Sequence, residues 1–228
     1  MSKNIAVDGP SGAGKSTLSR MIARKFGLIY VDTGAMYRTV GLYVLRHGLD
    51  SHDKEGVVSL LPDIHVAMRY DDSGVQRMLL NGEDVSEEIR LPGVSIYASD
   101  VSAMPEVRSF LLHMQRKLAE ENSVIMDGRD IGTVVLPDAG LKIFLSATPE
   151  DRARRRYEEL LLKGVETTPE DVLRDINYRD VNDSTRAAAP LRPAEGAVIL
   201  DTTGNTLEES FETISRLVKA YLDGGDGE

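Results

Sequence analysis

Cysteine is absent from the 228 residues, which excludes disulfides and cysteine-ligated metal centres and suits a cytoplasmic location. Long apolar runs are absent too, so no segment is expected to span a membrane. Only Met1 to Asn4 precede the first apolar run, so no secretory leader is expected. Positive charge is in deficit: 27 Lys and Arg face 37 Asp and Glu, a formal net charge of −10 at pH 7. A broad surface for nucleic acid or anionic lipid needs clustered cations, so neither partner is expected and any phosphate site must be local. The four histidines, at 47, 52, 65 and 113, lack ligand spacing and are read as surface or half-buried structural residues. With 41% hydrophobic residues, the chain has material for a full core, read as one domain over 1–228 with insertions, and as a monomer.

What is present is organised around Gly9-Pro10-Ser11-Gly12-Ala13-Gly14-Lys15-Ser16, followed by Thr17. It fills every position of G-x-x-x-x-G-K-[ST], between an apolar run, Ile5-Ala6-Val7, and a helical pattern of Leu18, Met21, Ile22 and Phe26. A Gly-rich turn that opens a helix directs unpaired backbone N–H groups and the positive end of the helix dipole at one place, where phosphate oxygens bind. Lys15, read as an exposed loop residue, then reaches the β- and γ-phosphates, and Ser16 holds magnesium.

Further along, Leu28 to Val31 reads as a second parallel strand ending at Asp32-Thr33-Gly34, followed by a helix from Ala35 to Arg46 that stops at Gly48. Ser51 or Asp53 caps a shorter helix that Pro62 ends. The period then changes to alternation at Ile64, Val66 and Met68, with turns at Asp71 to Gly74 and at Asn81-Gly82. An antiparallel meander over 64–85, outside the main sheet, is expected. Ser102, Pro105 and Glu106 open a helix whose apolar face is Val107, Leu111, Met114 and Leu118. A third core strand, Val124-Ile125-Met126, ends in Asp127-Gly128-Arg129-Asp130, and an acid at a strand end downstream of such a loop is a second magnesium handle.

Leu141 to Leu145 is the fourth strand. Thr-Pro-Glu-Asp then occurs twice, at 148–151 and 168–171, as N-cap, first-turn proline and acids on the dipole. Between them lies Arg152-Ala153-Arg154-Arg155-Arg156, in which Arg155 and Glu159 have the spacing of a surface ion pair. Arg179, Asp183 and Arg186, at i, i+4 and i+7, share one helical face, either a salt-bridge stripe or a grip on phosphate and sugar. Ala197 to Leu200 is the fifth strand, ending at Asp201, and an amphipathic helix closes the chain. Five strands alternating with helices predict an α/β fold: a five-stranded parallel sheet covered on both faces, with the P-loop, Asp32-Thr33, Asp127 to Asp130 and Asp201 converging on one rim.

The segments Ile5 to Thr17, Asp32-Thr33-Gly34-Ala35-Met36-Tyr37-Arg38, Asp127-Gly128-Arg129-Asp130-Ile131-Gly132-Thr133 and Arg179-Asp180-x-x-Asp183-x-x-Arg186-x-x-x-Pro190-Leu191 resemble bacterial cytidylate kinases in order and separation. The resemblance implies ATP and magnesium at the P-loop, with CMP or dCMP between an insertion over 33–120 and the helices of 151–190, which form a lid. It implies that Arg38, Arg129 and Arg186 hold the monophosphate, Arg179 and Asp183 face the sugar, Ser99, Arg108 and Asp130 surround the base, and Thr33 is a further substrate-binding residue. Lys15, Arg129 and Arg186 are the expected catalytic residues. Thr33 stands where serine is frequent in the family, and Ser16 where some members have glycine. A monophosphate with a second pKa of about 6 is largely a dianion at pH 7 and attacks without a general base. A GTPase reading lacks Asn-Lys-x-Asp, a motor reading lacks a basic track, and intact Lys15 and Ser16 oppose a non-catalytic binder. A P-loop kinase for another small acceptor, adenylate-like or shikimate-like, remains open at this point.

Overall fold

The structure, a computed structural model, describes residues 3–224. Five parallel strands form the central sheet: β1 (Ile5–Asp8), β2 (Ile29–Asp32), β6 (Val124–Gly128), β7 (Leu141–Ser146) and β8 (Val198–Asp201), in the spatial order β2-β6-β1-β7-β8. The sheet is parallel because helices cross over between successive strands, and its inner strands are apolar on both faces for the same reason. On β1, Ile5 and Val7 face a core shared with Leu18, Ile22, Ile143, Leu145, Ile214 and Val218. Ala6 points the other way, into a larger core with Met36, Val40, Leu111 and Met126.

The first core rests on α1 (Lys15–Phe26) and α8 (Leu207–Asp223), and the second on α2 (Thr33–Arg46) and α5 (Pro105–Glu121). Each helix start has a local cause. Asp32 ends β2 and caps α2, accepting from the Ala35 amide at 2.8 Å. Asp53, rather than Ser51, caps α3 (Lys54–Leu60) by accepting from Gly56. Thr148 and Thr168 cap α6 (Pro149–Leu162) and α7 (Pro169–Thr185) through the Asp151 and Asp171 amides, as the repeated Thr-Pro-Glu-Asp signal predicts. The helix α5 begins at Pro105 behind Met104, and Ser102, expected to help open it, instead donates to the Ser99 carbonyl.

The meander forms its own antiparallel sheet of β3 (Val66–Tyr70), β4 (Gln76–Leu80) and β5 (Glu83–Asp84). Asn81 and Gly82 both have positive φ, 50° and 89°, as a tight hairpin turn requires. One helix escapes the sequence reading: α4 (Pro92–Val101), packed against α2. Its run of small residues and its proline and glycine at the start show no clear helical period. Among the described residues, no helix is long and apolar enough to cross a membrane.

Candidate active site

Register places the site. Asp32 pairs with Asp127 across β2 and β6, and Asp8 pairs with Gly128 across β1 and β6, so three acidic strand ends lie side by side at the C-terminal edge of the sheet. The loop from Gly9 to Gly14 leaves β1 at this edge and delivers Lys15 as the first residue of α1. Gly9, at φ 148°, lies so near β7 that a Cβ would come within 2.0 Å of the Leu145 carbonyl oxygen, and no other residue fits there. Gly14, in the left-handed conformation, stands at the N-cap without any side-chain cap, so the first N–H groups of α1 are left for a ligand.

A cleft of about 620 Å³ opens in front of this edge. Ser11, Gly12, Gly14, Lys15, Ser16 and Thr17 line it, while Gly9, Pro10 and Ala13 frame the loop behind. All the residues expected on the acceptor side, Thr33, Arg38, Ser99, Arg108, Arg129, Asp130, Arg179, Asp183 and Arg186, reach the same cleft, as does Asp127. Among the described lining residues, twelve are Lys or Arg and five are Asp or Glu. A chain with a net charge of −10 therefore concentrates its cations here, and the cleft attracts anions that the surface as a whole repels.

Asp127 is buried and accepts from the Ser16 hydroxyl at 2.6 Å and from the Tyr30 hydroxyl at 3.2 Å. Burial first, and Asp32 second, push its carboxyl up to about 6. Ser16 and Asp127 thus offer paired hard oxygen donors at the mouth of the loop. Among the described residues, no cluster of three or more His, Cys, Asp or Glu is built to hold a metal. A divalent ion at this oxygen pair would need further ligands from outside the protein, which fits a hard cation that keeps several waters.

Lys15 differs from the expectation of an exposed loop residue. It is 6% exposed, and its Nζ donates to the Pro10 carbonyl at 2.7 Å. Burial and the nearby Arg129 guanidinium hold its pKa well below the ordinary lysine range. An anionic phosphate chain reverses both effects by supplying a partner charge.

The arginines opposite are held by carboxylates. Arg38 pairs with Asp32 at 2.9 Å, and Arg129 with Asp183 at 2.7 Å. The Asp183 carboxyl, although burial opposes ionisation, is kept below its usual range by Arg129, Arg179 and Arg186. Arg179 keeps a buried Nε without a partner, and so does Arg38. Burial, followed by repulsion from Arg129, lowers the Arg179 pKa to about 10. Such cations are strained by their own company, and a phosphate relieves them. The Arg186 residue lies just past α7, with φ −58° and ψ 140°, so the predicted i, i+4, i+7 face ends one residue early; its side chain nonetheless reaches the cleft.

Asp130 is 4% exposed and accepts from Arg108 on one oxygen and from Arg186, at 3.4 Å, on the other. An ion pair between Asp130 and its neighbour Arg129 is not what forms, since Arg129 turns to Asp183. Arg108 also donates to the Ser102 carbonyl and lies 5.6 Å from the Tyr37 ring centroid. Ser99 receives Asn182 Nδ2 at 2.9 Å. The single π-helical turn at Ile131–Val135 that carries this loop away is pinned by Asp8, which accepts from the Ile131 and Gly132 amides at 2.8 Å each. Burial pushes the Asp8 carboxyl up to about 6 despite those two bonds.

One pairing differs from the sequence spacing. Arg155 does not pair with Glu159: it meets Asp151 at 2.6 Å and the Thr202 carbonyl, while Glu159 pairs with Arg156 and Lys163. Asp201 ends β8 on the expected rim, beside Ser146, but does not line the cleft and accepts from Thr203. Residues to which the sequence reading assigned no site role also line the cleft, among them Arg20, Tyr37, Arg90, Ser102, Asn205 and Thr206. Arg90 and Ser102 carry no motif, and only the docking of their elements reveals them.

The sequence profile of the cytidylate kinase family matches residues 5–220. The chain is 52% identical over 214 residues to the cytidylate kinase of Caldicellulosiruptor saccharolyticus, covering 94% of each protein. It is 47% identical over 222 residues to that of Geobacter sp. strain M21, covering 97% of this chain and 95% of the relative. Among solved structures, an uncharacterized protein from Eubacterium ventriosum aligns over 95% of this chain and 98% of its own, with a TM-score of 0.51 at 11% identity. That last likeness is one of fold alone.

Proposed function

This chain belongs to the cytidylate kinase family, and from that premise we propose that it transfers the γ-phosphoryl group of ATP to CMP and dCMP, giving CDP and dCDP. The observation that carries the reading is the cleft itself, in which a P-loop faces arginines whose buried Nε atoms lack partners at Arg38 and Arg179. ATP sits with its phosphates on the loop amides and Lys15. The acceptor phosphate lies among Arg38, Arg129 and Arg186, the sugar toward Arg179 and Asp183, and the base toward Ser99, Arg108 and Asp130.

The reaction asks the protein for alignment and positive charge. The acceptor dianion needs no general base, in keeping with a cleft that has no histidine among its described lining residues. Lys15, Arg129 and Arg186 offset charge on the transferring group and on the two oxygens between which it moves. Magnesium is the proposed ion: Ser16 and Asp127 would hold it, and it would supply positive charge that offsets the charge of the phosphates. Segments 33–120 and 151–190 serve as acceptor-binding insertion and lid around this cleft, within a cytoplasmic monomer whose site needs residues of one chain only.

A panel of nucleoside monophosphates and shikimate, with ATP and magnesium and with ADP release as the signal, tests the reading. CMP and dCMP should lead the panel, and a clear preference for AMP, UMP or shikimate would refute it.

A further inference from the structure

We propose that Arg152 is a positioning residue that fixes the P-loop to the acceptor-bearing helix α7 and so sets the distance over which the phosphoryl group passes. Arg152 stands in the first turn of α6, 2% exposed, and it is not among the residues that line the cleft, unlike Arg154, Arg155 and Arg156. It stays behind the cleft, and its guanidinium donates four hydrogen bonds. Its Nε donates to the Ala147 carbonyl at 2.9 Å, and its Nη1 to the Ser11 carbonyl at 3.0 Å and to Asp180 Oδ1 at 3.0 Å. The second amino group, Nη2, meets Asp180 Oδ2 at 2.5 Å.

The Ser11 contact acts on the loop's phosphate-binding face. No cis peptide bond occurs among the described residues, so the carbonyl of Ser11 and the N–H of Gly12 point in opposite directions. With the carbonyl held on Arg152, the Gly12 N–H is turned away from α6. The loop also rests directly on this residue: a Cβ at Gly12, whose φ is 77°, would lie 3.1 Å from Arg152 Cβ and 3.2 Å from its carbonyl oxygen. The Asp180 contact acts on the other side. Asp180 is next to Arg179 and three residues before Asp183, both of which line the cleft. One planar fork therefore holds the donor loop and the acceptor helix together. The bidentate geometry fixes orientation as well as distance, which a lysine ammonium in its place does not.

This inference rests on the proposed transfer from ATP to CMP. The test compares the wild-type chain with Arg152→Lys, Asp180→Asn and the double variant, measuring kcat, the KM for each nucleotide and the melting temperature. Misplacement of reacting groups by about 1 Å costs roughly 10²-fold in rate, so each single variant should lose about 30- to 100-fold in kcat with both KM values within about threefold of wild type. The double variant should be no slower than the slower single, because the two side chains act as one unit. Asp180, whose side chain is 26% exposed, keeps the test available where Arg152→Lys fails to fold. A folded variant whose kcat stays within about threefold of wild type, or a rise in either KM with kcat intact, overturns the role of Arg152. A wild-type chain that makes no CDP refutes the proposed function instead, and the two failures are distinguishable.

Discussion

Asp130→Asn separates base recognition from simple ion pairing. In the structure, each Asp130 oxygen already accepts from one arginine, Arg108 or Arg186. Each carboxylate oxygen has two acceptor positions, so one arginine apiece leaves room for the N4 amino group of cytosine. Uracil presents an acceptor oxygen at that position, which a carboxylate repels. The asparagine amide both donates and accepts, so the variant should lose discrimination in both directions. A hydrogen bond to a charged group contributes about 1.5–3 kcal/mol, which sets the expected fall in the CMP-to-UMP ratio of kcat/KM at about 10- to 150-fold. The substitution also leaves Arg108 and Arg186 short of a countercharge. Both are buried, and breaking a buried pair costs about 3–5 kcal/mol of stability. The ratio is insensitive to that loss, because both substrates meet the same folded fraction. The assay is therefore competition between CMP and UMP in one reaction, with CDP and UDP separated by chromatography. Equal losses for the two substrates, with the ratio unchanged, would refute base readout by Asp130 and leave it as an anchor for Arg108 and Arg186.

Lys15→Ala should cut kcat by more than about 100-fold while leaving the melting temperature level or raised, since it removes a charge that burial disfavours; retention of over about a tenth of the rate argues against its role on the phosphates. Arg38→Gln and Arg129→Gln should each lower kcat/KM for CMP by about 10- to 150-fold with ATP affinity within about threefold, by initial rates and nucleotide titration; parallel loss of ATP affinity would move them to the donor side. Asp8 has a folded pKa of about 6 against an ordinary 3.8, so the stability it contributes is present below pH 4 and lost as pH rises through 6, by about 3 kcal/mol. Asp8→Asn lacks this titration, and urea melts should show the wild-type advantage shrinking between pH 4 and pH 7; profiles that stay parallel would show that Asp8 is not the group responsible.

What the sequence determined by itself is what depends on neighbours a few residues apart. The P-loop is legible because a turn that opens a helix toward phosphate needs glycines and a lysine at set spacing. The two Thr-Pro-Glu-Asp caps and the Asn81-Gly82 hairpin are legible because a cap or a tight turn closes within four residues. The tertiary structure decided which charges meet. Arg129 takes Asp183 and leaves Asp130 to Arg108 and Arg186, partners 54, 22 and 56 residues apart in the chain. Adjacency in the chain does not decide these pairings, because each guanidinium takes the carboxylate that the packed elements bring within reach. Lys15 is buried among charges distant in sequence, Arg129, Asp127, Asp183 and Arg179, and Arg152 meets Ser11 from 141 residues away. These pairings follow from the strand order β2-β6-β1-β7-β8, which brings chain-distant strand ends to one edge. That order is set by the burial of whole faces against one another, and no short stretch of residues carries it.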